Sequence, residues 1–330
     1  MTSRIRIFLV GGFMGLGILL MAYAGWSRWM TGTWSDRDVV VDLHPGMSGA
    51  DLLPSLTEQL PHNGQRVVDH VKFRSWEGRL KPGRYAFPAG ESVKASATRL
   101  VTGDREAVRV VVPSGRDVGP IAGTATRRIH ADSAKVAALL AEDSMKWRVV
   151  PNTSEMWWDT DVEGLASRLV REHSAWWNED RKAAARALGL TPKEVTVLAS
   201  IVQAETAVLS EAPQVAGLYL NRLNKGIALQ ADPTLIYALN DPSIRRVLDV
   251  HKTVDSPYNT YKFKGLPPGP IRYVDPRYLQ SVLHPAEHRY LYMCAKAGGD
   301  GTHDFAVSYR EHLRNARAYQ SWLNKQRIFR

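Results

Sequence analysis

Glu205 is the one carboxylate that the sequence places on the apolar face of an otherwise hydrophobic helix. Residues 191–206 read TPKEVTVLASIVQAET. Thr191 as N-cap, Pro192 at the first helical position and Glu194 as capping-box partner mark a helix start. Val197, Leu198, Ile201 and Val202 recur at helical spacing, and Glu205 continues that stripe one turn after Ile201. A carboxyl withdrawn from water keeps its proton to higher pH, as a general acid working near neutrality needs. A helix ending at Glu205 with its side chain in solvent would lack that property. Spacing alone leaves both readings open.

The run at 198–239, LASIVQAETAVLSEAPQVAGLYLNRLNKGIALQADPTLIYAL, resembles the core of the endolytic murein transglycosylases of the YceG-like family. The resemblance continues through DSPYNTY at 255–261, GLPPGPI at 265–271, HPA at 284–286, YLY at 290–292 and GTHDF at 301–305. It closes with a helix beginning near Tyr309. Upstream, Lys81-Pro82-Gly83-Arg84-Tyr85 resembles the K-x-G-x-Y signature of the family's LysM-like subdomain, and Pro151-Asn152-Thr153-Ser154 resembles its P-[DN]-T-Y element. Ser154 stands where a tyrosine is usual, with Trp157 and Trp158 close behind.

The resemblance implies an endolytic lytic transglycosylase with a single catalytic glutamate, Glu205, in the family's E-T pair. Many relatives carry a second glutamate where this chain has Gln203. The implied reaction cuts the MurNAc-GlcNAc bond of nascent peptidoglycan strands and leaves 1,6-anhydro-MurNAc ends, so that the enzyme acts as a glycan-chain terminase. Penicillin-binding peptidoglycan synthases are the implied partners, and no cofactor is implied. The alternative is a non-catalytic, membrane-anchored peptidoglycan-binding protein, which would have no need for a carboxylate on an apolar helix face. A hydrolase pairing Glu205 with Asp232 is a weaker rival.

Other polar residues divide into candidates and bystanders. Asp232, in LQADPT at 229–234, is a possible second carboxylate, but D-P-T is also a helix start with aspartate as N-cap. Gln230 has no such local explanation, and its amide both donates and accepts, as sugar hydroxyls require. Tyr258, Asn259 and Thr260, with Tyr261, form a polar–aromatic cluster suited to a glycan wall. Asn221 lies on a helix that would face either cleft or solvent. Glu211 reads as a complement to a helix dipole, Trp176 and Trp177 as core, and His303 as structural. Cys294, the single cysteine, sits in an apolar strand-like run and reads as packing. The ten histidines form no spaced ligand set, so no metal site is expected.

The elements that must position these residues form an α+β chain of 330 residues. Residues 1–6 carry Arg4 and Arg6, and 7–27 contain no charge, about the roughly 20 apolar residues that span a bilayer. Trp26, Trp29 and Trp34 suit a membrane–water boundary. A retained signal anchor with the bulk of the chain on the periplasmic side of the inner membrane is the expectation; Ala22-Tyr23-Ala24 offers signal-peptide cleavage as the alternative. A linker at 28–38 leads to three passages of strand, Pro/Gly turn and helix, from Val39, Gly83 and Val108. These give a LysM-like α/β subdomain at 39–103, a connecting region at 104–150 and an α+β catalytic domain at 151–330. The net charge of +10 suits an anionic glycan polymer, and export argues against nucleic acid.

Overall fold

Each of the three expected strand–turn–helix passages forms, with the change of spacing falling at the Pro/Gly pair. The computed structural model describes the backbone of residues 2–47, 49, 51–241, 244 and 247–326, and side chains from residue 15 onward. It divides into two units. One comprises Met1–Arg109, Arg128–His130 and Glu155–Thr160; the other comprises Val110–Arg127, Ala131–Ser154 and Asp161–Arg330.

The first unit contains α1 (Thr2–Thr31), β1 (Val39–Leu43), α2 (Leu52–Gln59), α3 (Gln65–Phe73), β2 (Gly83–Phe87) and α4 (Val93–Thr102). β1 and β2 pair antiparallel, with Val41 opposite Tyr85. Alternation sends Val41, Leu43, Tyr85 and Phe87 into a core shared with Leu56, Val67, Val71 and Leu100. On the opposite strand face Arg84 donates to both oxygens of Asp42 at 2.7 Å, pinning the register. Gly46 and Gly90 take φ of +89° and +81° in the turns after Pro45 and Pro88. α3 follows the first passage and is held by Val67, Val68 and Val71.

Among the described residues no helix is long and apolar enough to cross a membrane. The span expected at 7–27 begins with residues 7–14, whose side chains lie outside the described residues. Beyond them Leu16, Ile18, Leu19, Leu20, Met21 and Tyr23 are exposed on α1. Met30 and Trp34 are buried, and Trp34 Nε1 donates to Ser96 Oγ at 2.8 Å.

The chain passes between the units along β3 (Ala107–Val112) and β4 (Asn152–Trp157), which pair with each other. The second unit holds α5 (Val118–Thr126), α6 (Ser133–Ala141), α7 (Asp143–Lys146), α8 (Val162–Trp176), α9 (Glu179–Ala187) and α10 (Pro192–Glu205). After these come α11 (Ala212–Asn224), α12 (Asp232–Leu239), α13 (Pro276–Leu283), β5 (Tyr292–Ala295), β6 (His303–Ala306) and α14 (Tyr309–Lys325). Every residue of α10 from Val195 to Val202 is buried. A helix enclosed on all sides is the centre of its unit. Val195, Leu198, Ile201 and Val202 pack with Val215, Leu218 and Tyr219 of α11 and with Leu279 and Val282 of α13. Each such aliphatic side chain contributes roughly 1.5–3 kcal/mol when fully buried. Gly217 lets the 286–288 loop close on α11, since a Cβ there would stand 2.4 Å from Ala286 O.

One expectation about a helix end needs correction. A 3₁₀ turn, Leu209–Glu211, precedes α11, which starts at Ala212 with proline in its first turn. Glu211 does more than complement a dipole. It is buried, and its Oε1 and Oε2 accept from His303 N at 2.7 Å and His303 Nδ1 at 2.8 Å, tying α11 to β6. Trp177 lies in the core with Trp176 against it, and Cys294 is half-buried on β5, where burial pushes its thiol up.

Candidate active site

The start of α10 fixes where its end falls. Thr191 Oγ1 accepts from Glu194 N at 3.3 Å while Glu194 Oε2 accepts from Thr191 N at 2.8 Å, completing the capping box. The helix then runs to Glu205 and breaks at Thr206, whose backbone is extended. Ending there does not release the glutamate to solvent. Tyr219 of α11 reaches across, and its hydroxyl donates to Glu205 Oε1 at 2.6 Å. Glu205 opens into a cleft of about 300 Å³ that also presents Tyr219, Arg222, Gln230, Asp232 and Tyr261. Leu218, Leu229, Tyr292, Met293, Tyr309 and His312 complete the lining.

Electrostatics sets Glu205 apart. Burial pushes its carboxyl from 4.5 up to about 7; the Tyr219 hydroxyl pulls against this, the negative Asp232 adds to it, and His303 opposes it. The residue as a whole is only half-buried, because one side faces the cleft. A carboxyl raised to about 7 keeps its proton on about half of the molecules at neutral pH, in a place a ligand can reach.

Arg222 is buried, at 6% exposure, and donates through Nε to Ala228 O at 3.0 Å and through Nη1 to Leu291 O at 2.6 Å. Its Nη2 donates to Gln230 Oε1 at 2.7 Å. A guanidinium has no acceptor, so the Gln230 atom facing it must be the amide oxygen. The Gln230 Nε2 group therefore remains free to donate into the cleft, with no partner among the described residues. Gln230 takes φ of +55°, a left-handed conformation that costs roughly 1–2 kcal/mol outside glycine. Its backbone N donating to Thr260 O at 3.0 Å helps hold it there.

Asp232 is not the cap that D-P-T suggests. Ala231 occupies the cap position without a side-chain bond, and Thr234 N closes the first turn on Ala231 O at 3.1 Å. The Asp232 carboxylate is left to face the cleft, where Tyr261 donates to its Oδ1 at 2.5 Å. Burial, and then the Asp232 bond, hold the Tyr261 phenol far above its ordinary value.

The four other candidates line none of this cleft. Asn259, fully buried, donates to Lys252 O and Val254 O at 2.9 and 2.8 Å and accepts from Tyr261 N and Lys262 N at 3.0 and 3.2 Å. Thr260 Oγ1 accepts from Ala231 N at 3.0 Å and bonds Thr234 Oγ1 at 2.8 Å, beneath α12. Tyr258 lies against Tyr237, ring centroids 4.8 Å apart. Asn221 donates to His288 O at 2.8 Å and Tyr290 O at 3.1 Å, clipping a loop to α11. Gln203 accepts from Asp275 N at 3.0 Å. Tyr219 and Arg222 were not singled out from the sequence, because helical spacing reads Tyr219 as core. No cluster of His, Cys, Asp and Glu among the described residues fits a metal ion.

Curated proteins are similar to part of this chain. An endolytic murein transglycosylase of Bacillus subtilis is 31% identical over 168 residues, 51% of this chain and 46% of that protein. A protein of the same description from Streptococcus pneumoniae is 31% identical over 130 residues, 38% of this chain and 23% of its own length. The chain thus matches less than half the length of these curated relatives. The crystal structure of a YceG-like protein from Listeria monocytogenes shares the fold with a TM-score of 0.53 at 22% identity, covering 85% of this chain and 99% of the other. The YceG-like family itself matches residues 41–318, most of both units, and the chain belongs to that family.

Proposed function

We propose that this protein is an endolytic lytic transglycosylase that cleaves the MurNAc-GlcNAc bond of nascent peptidoglycan strands, acting as a glycan-chain terminase. One observation carries the reading: a carboxyl raised to about 7 opens into a cleft walled by tyrosines and an amide. The names of the Bacillus and Streptococcus relatives support the substrate class.

Protonated Glu205 gives its proton to the glycosidic oxygen as the bond to C1 of the muramic sugar breaks. The N-acetyl group of that sugar stabilises the cationic centre. The resulting carboxylate keeps the Tyr219 hydroxyl on Oε1 and takes the proton from the sugar's own 6-hydroxyl. That oxygen closes on C1 to give the 1,6-anhydro ring, and Glu205 is protonated again. Gln230, its oxygen held by Arg222, offers N–H donors and so recognises an acceptor such as an acetamido carbonyl or a ring hydroxyl oxygen. Because Glu205 must begin protonated, the rate falls as pH rises through about 7.

Asp232 gives a specific ground for a second reading. It lines the cleft and is close enough to raise Glu205, so a two-carboxylate hydrolysis is its natural alternative chemistry. The products of purified peptidoglycan decide: anhydro ends support transglycosylation, and reducing ends support hydrolysis. Intact strands would leave a non-catalytic binding protein.

The wider reading makes the chain a single-pass inner-membrane protein, anchored by residues 7–27, with everything that follows the anchor, the catalytic domain included, on the periplasmic side. The exposed apolar residues of α1 support that anchor. The 39–103 region serves as a LysM-like glycan grip, and penicillin-binding synthases supply the strand. Membrane fractionation after a high-salt wash tests the anchor; a mature chain beginning at Gly25 would replace it with a cleaved signal peptide.

A further inference from the structure

Ala204 and Pro233, the chain neighbours of Glu205 and Asp232, line a second cavity of about 150 Å³. Two of its other walls are arginines, Arg116 and Arg272, set among Ile236 and Ile271. Neither arginine has a carboxylate partner among the described residues. Arg116 donates through Nη2 to Ile236 O at 3.1 Å, and Arg272 through Nη1 to Gln203 O at 3.2 Å. Arg272 Nε is buried with no acceptor among the described residues, and burial pushes the guanidinium below its ordinary pKa.

Two half-buried cations beside an apolar cavity, tied only by single bonds to carbonyls, are an arrangement that an anion would complete. Removing a charge from water is costly unless it is paired. A guanidinium fork matches a carboxylate in shape and in hydrogen bonds. Ala204 and Pro233 each adjoin a cleft carboxylate in the chain, so the two stretches of backbone that carry Glu205 and Asp232 also wall this cavity.

We infer that the Arg116–Arg272 cavity is a subsite for a carboxylate carried by the glycan next to the bond that Glu205 acts on. The inference rests on the glycan reading above. The carboxylates nearest that bond hang from the muramic sugar: those of the stem peptide, or that of the lactyl group where no peptide is attached. Both offer the same chemistry to the two arginines.

Calorimetric titration of the full-length chain tests this with three disaccharides. They are GlcNAc-MurNAc with a free lactyl group, the same sugar bearing L-alanyl-D-glutamate, and chitobiose, which has no carboxylate. The wild-type chain should bind one of the acidic ligands roughly tenfold more tightly than chitobiose, as charge-assisted hydrogen bonds allow. Arg116→Gln and Arg272→Gln, the latter retaining an N–H for Gln203, should each remove most of that preference and leave chitobiose binding unchanged. Preference for the peptide-bearing ligand identifies the stem peptide as the source, and preference for the free acid identifies the lactyl group. Equal binding of all three by wild type, or a preference that survives both substitutions, overturns the inference. Loss of chitobiose binding in step with the acids does so too, since it makes the arginines struts. Strand cleavage is read separately: carboxylate preference without turnover goes against the cleavage reading and leaves the subsite standing.

Discussion

Glu205 and Glu211 lie either side of the turn between α10 and α11, and their surroundings give them opposite characters. Glu211 is the more deeply buried, and each of its oxygens receives an N–H from His303. Both oxygens are engaged in holding β6 to the start of α11. Glu205 receives a single hydroxyl bond, from Tyr219, and burial raises its carboxyl to about 7 on the wall of a cleft. Burial alone therefore does not mark an acid. The mark is burial with too few donors and an open side toward the cleft.

Substitution by glutamine should separate the two glutamates most widely. Glu205→Gln keeps shape and the Tyr219 contact but has no proton to give, so strand cleavage should fall by at least roughly 10²–10⁴-fold with the fold intact. Glu211→Ala should act on stability instead. Leaving the His303 donors without their acceptor costs roughly 1–3 kcal/mol each in unfolding experiments, with Glu211→Gln milder and the folded fraction still active. Equal activity loss at full stability for both glutamates would erase the distinction.

Smaller effects refine the cleft around Glu205. Gln230→Ala should raise KM by roughly tenfold, a lost hydrogen bond's worth. Gln230→Glu separates the amide's two ends: it still accepts from Arg222 but has no N–H for substrate, and should be as impaired as the alanine variant. Asp232→Asn removes a nearby negative charge, so the alkaline limb of the pH–rate profile should move to lower pH with only a modest loss of rate. If Asp232→Asn is as inactive as Glu205→Gln, the two-carboxylate scheme replaces the single acid.

Stability against pH gives the finest comparison. Between 4.5 and about 7 the folded chain keeps a proton on Glu205 that the unfolded chain has released. Stability conferred by that group is thus present below 4.5 and declines as pH rises through about 7. Glu205→Gln cannot ionise, so its melting midpoint should gain on the wild type at pH 8 relative to pH 4, by a few degrees at most. An unchanged difference across that range would mean the carboxyl is not raised.

Much of the framework was legible because it depends on local rules. The capping box at Thr191–Glu194 and the three Pro/Gly turns formed where residue type and spacing require them. Glu205 and Gln230 reached the cleft, one from an apolar stripe and one from having no local partner to satisfy. Asn259 and Thr260 did not, since their hydrogen-bond partners are loop backbone groups and, for Thr260, the Thr234 hydroxyl of α12, none of which spacing can place. Tyr219 and Arg222 were hidden for the opposite reason: on α11 they carry core-like periodicity, and only the packing of α11 on α10 brings them to Glu205. Asp232 shows a local rule overruled, because the first turn of α12 closes on its own backbone and frees the carboxylate.

Mass spectrometry of the ends formed when the full-length chain acts on purified peptidoglycan separates proton transfer by Glu205 alone from hydrolysis. A single raised glutamate with no activated water should yield muramic ends lighter by one water than hydrolysed ends, from internal cuts, in the wild type and not in Glu205→Gln. Hydrated reducing ends from the wild type, or anhydro ends persisting in Glu205→Gln, would contradict it.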